Sequence, residues 1–103
     1  MVAEKQLILI INKQIDADLP ESTSMQELQQ KLSVFINDLI QNDFQKLIAI
    51  LYKVDVAENK LKSILRAEVK KDAGDIIADL IIEREKQKIQ TRKQFGYKNN
   101  TKI

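Results

Sequence analysis

The chain has 103 residues, of which 44% are apolar and 31% charged, with a formal net charge of +2. These values fit one soluble domain with a modest hydrophobic core. The sequence contains neither cysteine nor histidine, which excludes disulfides, metal sites built on thiolate or imidazole, and catalysis that depends on either side chain.

The first apolar segment, 4–16, is compatible with a helix or with a buried strand. Polar Glu, Lys and Gln residues flank its apolar run and favour a helix, and its aliphatic residues share one helical face. Two glycines and one proline leave few turn residues for a sheet that such a strand would join. We therefore predict a helix over 5–15.

The same segment bears on location. Its consecutive apolar residues, Leu7 to Ile11, are fewer than a signal peptide needs, and no stretch approaches the length of a membrane-spanning helix. These observations predict a cytoplasmic protein that does not bind membranes.

A second helix is predicted from its start signals. Pro20 cannot continue a helix and lies in a polar linker. Ser24 followed by Glu27 has the spacing of a capping box, in which each residue satisfies an amide at the start of the helix. We predict a helix over 25–41 with one broad apolar face.

The most apolar stretch of the chain is 43–65. The sequence leaves open whether 24–53 is one helix or two; if it breaks, Asp43 is the natural N-cap. Within this stretch the segment LIAILY is apolar on more than one side. Such a helix is expected at the centre of a bundle, covered by the others.

Two further helices are predicted after this stretch. Asp55 and Glu58 form a second potential capping box, which predicts a helix from 56 to about 70. Gly74 is a candidate helix breaker. The last helix is expected to begin between 73 and 76, with Asp72 or Asp75 as its N-cap.

The C-terminal part of the chain is almost entirely polar from Glu83 onward. We predict that this half of the last helix projects beyond the bundle and ends at Gly96. The sequence as a whole predicts an all-α fold, a compact bundle of four to five helices. Residues 1–95 would form one domain and 96–103 a flexible tail.

The charges are distributed unevenly. Residues 1–58 carry nine acids and five bases, whereas 59–103 carry twelve bases and six acids. On a helix, several cations after residue 83 form a stripe that suits a phosphate backbone or an acidic protein. The candidate contact residues within 84–102 are Arg84, Lys88, Arg92, Lys93, Phe95, Tyr97 and Lys98.

A stripe of acids is the remaining candidate for chemistry. On a continuous helix it would share one face, as in helical magnesium-dependent phosphohydrolases, but the chain lacks the paired E-x-x-E pattern of those enzymes. Acids near a helix N-terminus also have a sufficient structural role. The stripe comprises Glu68, Asp72, Asp75, Asp79 and Glu83.

No nucleotide-binding loop or nucleophile–base pair can be identified. We therefore predict no catalytic, cofactor-binding or metal-binding residue, no cofactor and no small-molecule substrate. The favoured hypothesis is a non-enzymatic helical interaction module, either a homodimer or a subunit of a larger assembly. The alternatives are nucleic-acid binding through 84–102 and, more remotely, a magnesium-dependent phosphohydrolase.

Overall fold

The computed structural model describes residues 4–67 and 72–102, with side chains for all of these except 64, 65, 67 and 94–102. Within this part of the chain, every regular element is an α-helix, which confirms the predicted all-α bundle. The five helices are α1 (Lys5–Ile15), α2 (Met25–Asn42), α3 (Phe44–Val54), α4 (Glu58–Ala67) and α5 (Ala73–Lys102).

The first two ambiguities in the sequence are resolved. The segment 5–15 is a helix, and the stretch 24–53 is two helices that break at Asp43. Asp43 leaves the helical conformation (φ −156°, ψ 69°), and its carboxylate accepts a hydrogen bond from the Lys46 N–H at 3.2 Å. The side chain is therefore the N-cap of α3, because it satisfies an amide that has no partner within the helix.

The predicted start of α2 is confirmed. The Ser24 hydroxyl oxygen accepts a hydrogen bond from the Glu27 N–H at 3.1 Å. The Glu27 side chain does not complete the reciprocal bond to the backbone; its Oε1 accepts from the Ser24 hydroxyl at 3.3 Å. The cap thus forms with one half of the predicted capping box.

The predicted capping box at Asp55 is wrong. Asp55 ends α3 in the left-handed region (φ 67°, ψ 49°), where its N–H donates to the Leu51 and Tyr52 carbonyls. Asp tolerates this conformation better than most residues because its short side chain bonds locally. As a result α4 begins at Glu58 instead of 56. The predicted end of that helix, near 70, lies outside the described residues.

Two predictions about glycines also differ from the structure. Gly74 does not break a helix; it lies in the first turn of α5, which Asp72 caps by accepting from the Asp75 N–H at 3.2 Å. Gly96 does not end α5, which continues to Lys102. An isolated glycine lowers helix propensity by only about 1 kcal/mol, which the rest of a long helix can absorb.

The core lies around α5, which contacts all four other helices and packs most extensively on α2. Fully buried side chains come from α1, α2, α3 and α5. The segment LIAILY in α3 therefore does not form the centre that its composition predicts. The largest buried side chains are Leu7, Ile8, Ile11, Leu28, Leu32, Ile36, Leu47, Ile81 and Val54.

A polar contact joins α2 to the N-terminus of α5. Asn37 of α2 donates to the Asp72 carboxylate at 2.7 Å and accepts from the Gly74 N–H at 3.1 Å. A Cβ at Gly74 would lie 2.5 Å from the Asn37 Cγ, so the Asn37 side chain can hold this position only because residue 74 is glycine. One turn earlier on α2, the buried Ser33 hydroxyl donates to Asp75 at 2.5 Å.

The contact predicts that the effect of Gly74→Ala on stability depends on whether Asn37 is present. We expect Gly74→Ala to lower the free energy of unfolding by about 1–2 kcal/mol, because the methyl group displaces Asn37 from its two hydrogen bonds. In an Asn37→Ala background we expect the same change to be neutral or to stabilise by about 0.5 kcal/mol, since alanine favours helix over glycine. Urea denaturation of the four proteins measures both differences. An equal effect in the two backgrounds would contradict the role of the close approach.

Candidate interaction surface

The predicted basic surface is partly engaged within the chain. Arg84 donates from Nε to the Asp55 carbonyl at 3.1 Å and from Nη2 to the Asp55 carboxylate at 3.2 Å. Lys88 donates to the Lys53 carbonyl at 3.3 Å. These carbonyls belong to the C-terminus of α3, where backbone acceptors lack intrahelical partners and the helix dipole favours cations. The stripe therefore has a structural role at the end of α3.

The remaining predicted contact residues divide into three groups. Lys93 contacts the Glu4 carboxylate of the segment before α1 at 3.0 Å. Arg92 is exposed on α5. The side chains of Phe95, Tyr97 and Lys98 lie outside the part of the chain that the structure describes in atomic detail. Among the side chains that the structure describes, Arg84 and Lys88 meet at the end of α3, and Arg92 lines a shallow cleft of about 330 Å³ together with them.

The polar half of α5 contains a buried carboxylate. Glu85 is only 3% exposed, and its Oε1 lies 3.0 Å from Lys88 Nζ in an ionic contact that does not have hydrogen-bond geometry. Ile89, one turn further on, is also 3% exposed. The bundle thus extends along α5 at least to Ile89, beyond the point where composition predicts the projecting half to begin.

The acids of the predicted stripe have individual partners. Asp72 caps α5, Asp75 accepts from Ser33 and Gln29, and Glu83 pairs with Lys60 at 3.8 Å. Asp79 is exposed, and Glu68 lies outside the described residues. Across 4–67 and 72–102, no three side chains of the metal-binding types converge on one point.

A cleft of about 330 Å³ lies between the α3–α4 loop and α5. Its charged side chains pair with one another across the cleft, Asp55 with Arg84 and Lys60 with Glu83. The four charged side chains of the cleft therefore have partners within the chain.

The outer face of α3 carries exposed apolar side chains. Phe44 is 55% exposed and Tyr52 80%, and the half-buried Ile48 lies between them. The three residues are four positions apart, so they form one stripe about 12 Å long on the helix. The exposed Ala49 lies beside Ile48. We call Phe44, Ile48, Ala49 and Tyr52 the α3 face.

The other exposed large apolar residues do not form such a surface. Leu9 on α1 and Val34 on α2 are exposed as well. Their neighbours at helical spacing are all polar or charged. Single exposed aliphatic residues of this kind are ordinary on protein surfaces, whereas a row that includes two aromatic rings is characteristic of a binding site.

The sequence alone does not predict the α3 face, because the apolar composition of α3 predicts a helix that is covered on all sides. A signal was nevertheless present. Gln45 and Lys53, which flank the stripe at helical spacing, cannot be buried without partners, so they mark a solvent side of α3. Both are exposed in the structure.

Comparisons with known proteins add no assignment: the chain matches no protein-family model, no curated protein and no solved structure. Among the described residues, no helix combines the length and the apolar composition that crossing a bilayer requires.

The buried ion pair on α5 yields a stability prediction. We expect Lys88→Met to lower the free energy of unfolding by about 3 kcal/mol, because it leaves the Glu85 carboxylate buried without a counter-ion. Adding Glu85→Gln should recover most of that loss, since the charge is then removed. Urea denaturation provides the measurement.

Lys86→Met is the matched control, because Lys86 is exposed on the same helix, and we expect it to change stability by about 0.5 kcal/mol or less. If Lys88→Met and Lys86→Met behave alike, the buried pair is not a determinant of stability.

Proposed function

We propose that the protein is a non-enzymatic interaction module that binds a protein partner through the α3 face. The observation that carries this proposal is the row of exposed apolar side chains, in which Tyr52 is 80% exposed. Large aromatic side chains dominate the binding energy of protein interfaces, because they bury much area at a small entropic cost. A cytoplasmic location remains the prediction from sequence.

The rigidity of α3 supports the same function. The helix is capped by Asp43 at its start and by the Asp55 turn at its end, and Arg84 and Lys88 hold its last carbonyls. Its inner face is anchored in the core by four buried aliphatic residues. A surface that is fixed before binding loses little conformational entropy when the partner docks. These four residues are Leu47, Ile50, Leu51 and Val54.

A photo-crosslinking amino acid tests the proposal. With p-benzoylphenylalanine in place of Tyr52, we expect irradiation of the producing cells to yield one adduct of defined mass. The same amino acid in place of Gln90, an exposed residue of α5, is the control and should yield none. Mass spectrometry identifies the second component. No adduct at Tyr52, or the same adducts at both positions, would refute the proposal.

Nucleic-acid binding through 84–102 has less support, because Arg84, Lys88 and Lys93 contact other parts of the chain. Deleting the segment would also remove the buried Glu85 and Ile89. Substitutions that leave the core intact are therefore the better test.

We expect Arg92→Gln with Lys98→Gln to change binding to duplex DNA or RNA no more than Lys13→Gln with Lys31→Gln, which removes the same charge elsewhere. Filter binding at low salt measures the difference. Binding that only the first pair abolishes, and that falls steeply as salt increases, would favour the alternative.

A further inference from the structure

The break between α2 and α3 consists of one residue, Asp43. Its N–H donates to the Leu39 carbonyl at 2.9 Å, and its own carbonyl accepts from the Leu47 N–H at 3.4 Å. Both bonds join residues four positions apart, as in a continuous α-helix. The break therefore interrupts the backbone hydrogen bonds of one long helix only at the amides of residues 44–46.

The apolar faces of α2 and α3 are in register across this break. With about 100° of rotation per residue, a continuous helix over 25–54 would place the buried aliphatic residues of both helices within an arc of about 140°. An arc of this width is the usual apolar face of a packed helix, and 25–54 contains neither glycine nor proline. The sequence is thus compatible with one straight helix. The aliphatic residues concerned are Leu28, Leu32, Ile36, Leu39, Leu47, Ile50, Leu51 and Val54.

Asp43 opposes the straight helix for two reasons. Its carboxylate caps α3 at the Lys46 N–H, and this bond exists only while the helix is broken. In a straight helix the same side chain would lie near the centre of the apolar arc, where a carboxylate without a partner is costly to bury. Both effects favour the broken form that the structure shows.

We propose that the chain has a second folded form, a dimer in which α2 and α3 join as one helix and two copies exchange the parts that follow Asp43. Straightening would carry α3 away from the core of its own chain, so its four buried aliphatic residues need the same surface on a second copy. The extensive packing of α2 on α5 would then form between the copies. The inference does not rest on the α3 face.

The energetics of exchange favour this form over other dimers. Every core contact of the monomer is remade in the dimer, so only the hinge and the cost of association separate the two forms. Short hinge segments are accordingly the places where proteins exchange domains. Asp43 determines the balance, because it is the residue at which the two forms differ.

Replacement of the hinge residue tests the proposal. Loss of an N-cap shifts the equilibrium of its helix about fivefold, and the dimer contains two hinges. We therefore expect Asp43→Ala to lower the dissociation constant of the dimer about thirtyfold. The measurement is size-exclusion chromatography of samples refolded from urea at a series of protein concentrations.

Two controls separate the hinge from a general loss of stability. Ser24→Ala removes a comparable N-cap at the start of α2, away from the break, and we expect it to leave the dissociation constant unchanged within twofold. Asp43→Asn retains a capping side chain and should shift it by less than fivefold. A monomeric Asp43→Ala variant, or an equal shift with Ser24→Ala, would overturn the proposal.

A pair of cysteines tests the exchange itself, because the chain contains no cysteine of its own. A Cβ at Gly74 lies 2.5 Å from the Asn37 Cγ, so the Cβ atoms of 37 and 74 are no more than about 4 Å apart, which suits a disulfide. We expect Asn37→Cys with Gly74→Cys to link the two chains of the Asp43→Ala dimer. With Asp43 retained, the pair should close within one chain.

A non-reducing gel distinguishes the two products. If the chains of the dimer separate on the gel after both thiols have reacted, the dimer forms without exchange and the proposal is refuted. Ser33→Cys with Asp75→Cys is a second pair for the same measurement, since these side chains are also in contact between α2 and α5. It keeps the test decisive if the first pair does not fold.

Discussion

The contact of α5 with the end of α3 determines which side of α3 faces the core and which side faces water. The last carbonyl oxygens of a helix lack partners within it, and here two side chains of α5, Arg84 and Lys88, donate to the carbonyls of Asp55 and Lys53 at the end of α3. Lys88 also neutralises the buried Glu85. Residues 84–88 of α5 are therefore held against the bundle. The orientation of α3 follows, with its aliphatic side inward and its aromatic side outward.

The same contact explains why the basic stripe is a poor indicator of a nucleic-acid site in this chain. Cations spaced by one helical turn suit a row of phosphates, and they equally suit the negative end of a helix dipole. Sequence cannot separate these two uses, since the difference lies in what faces the helix. The proposed interaction surface rests instead on apolar side chains. These would be more stable if buried, but the fold leaves them exposed to water.

Features that depend on local pattern could be predicted from the sequence. The all-α class and the helix start at Ser24 follow from short-range hydrogen bonds and apolar periodicity, whereas Asp43 could be named as a cap only on the condition that the helix breaks there. The end of α3 could not be predicted, because Asp55 is equally suited to start a helix or to close one in the left-handed conformation. In the structure Asp55 contacts Arg84, which is distant in sequence and donates to both its carbonyl and its carboxylate.

The α3 face could not be predicted from the sequence for a related reason. A helix that is apolar on several sides predicts a central position only if enough neighbours surround it, and α3 contacts mainly α2 and α5. Likewise, the close contact at Gly74 is with Asn37 of another helix, and without that contact an isolated glycine predicts a helix break. In both cases the missing information is a tertiary contact.

The two residues with left-handed backbone conformation restrict which substitutions the chain can accept at those positions. Asp16 and Asp55 end α1 and α3 with positive φ angles of 56° and 67°, and no other described residue, glycine included, adopts this conformation. Glycine, asparagine and aspartate are the residues that occupy this region at low cost. Distant relatives of this chain should therefore keep one of these three at both positions even where the aliphatic residues have been exchanged. This pair of positions provides a criterion for identifying them.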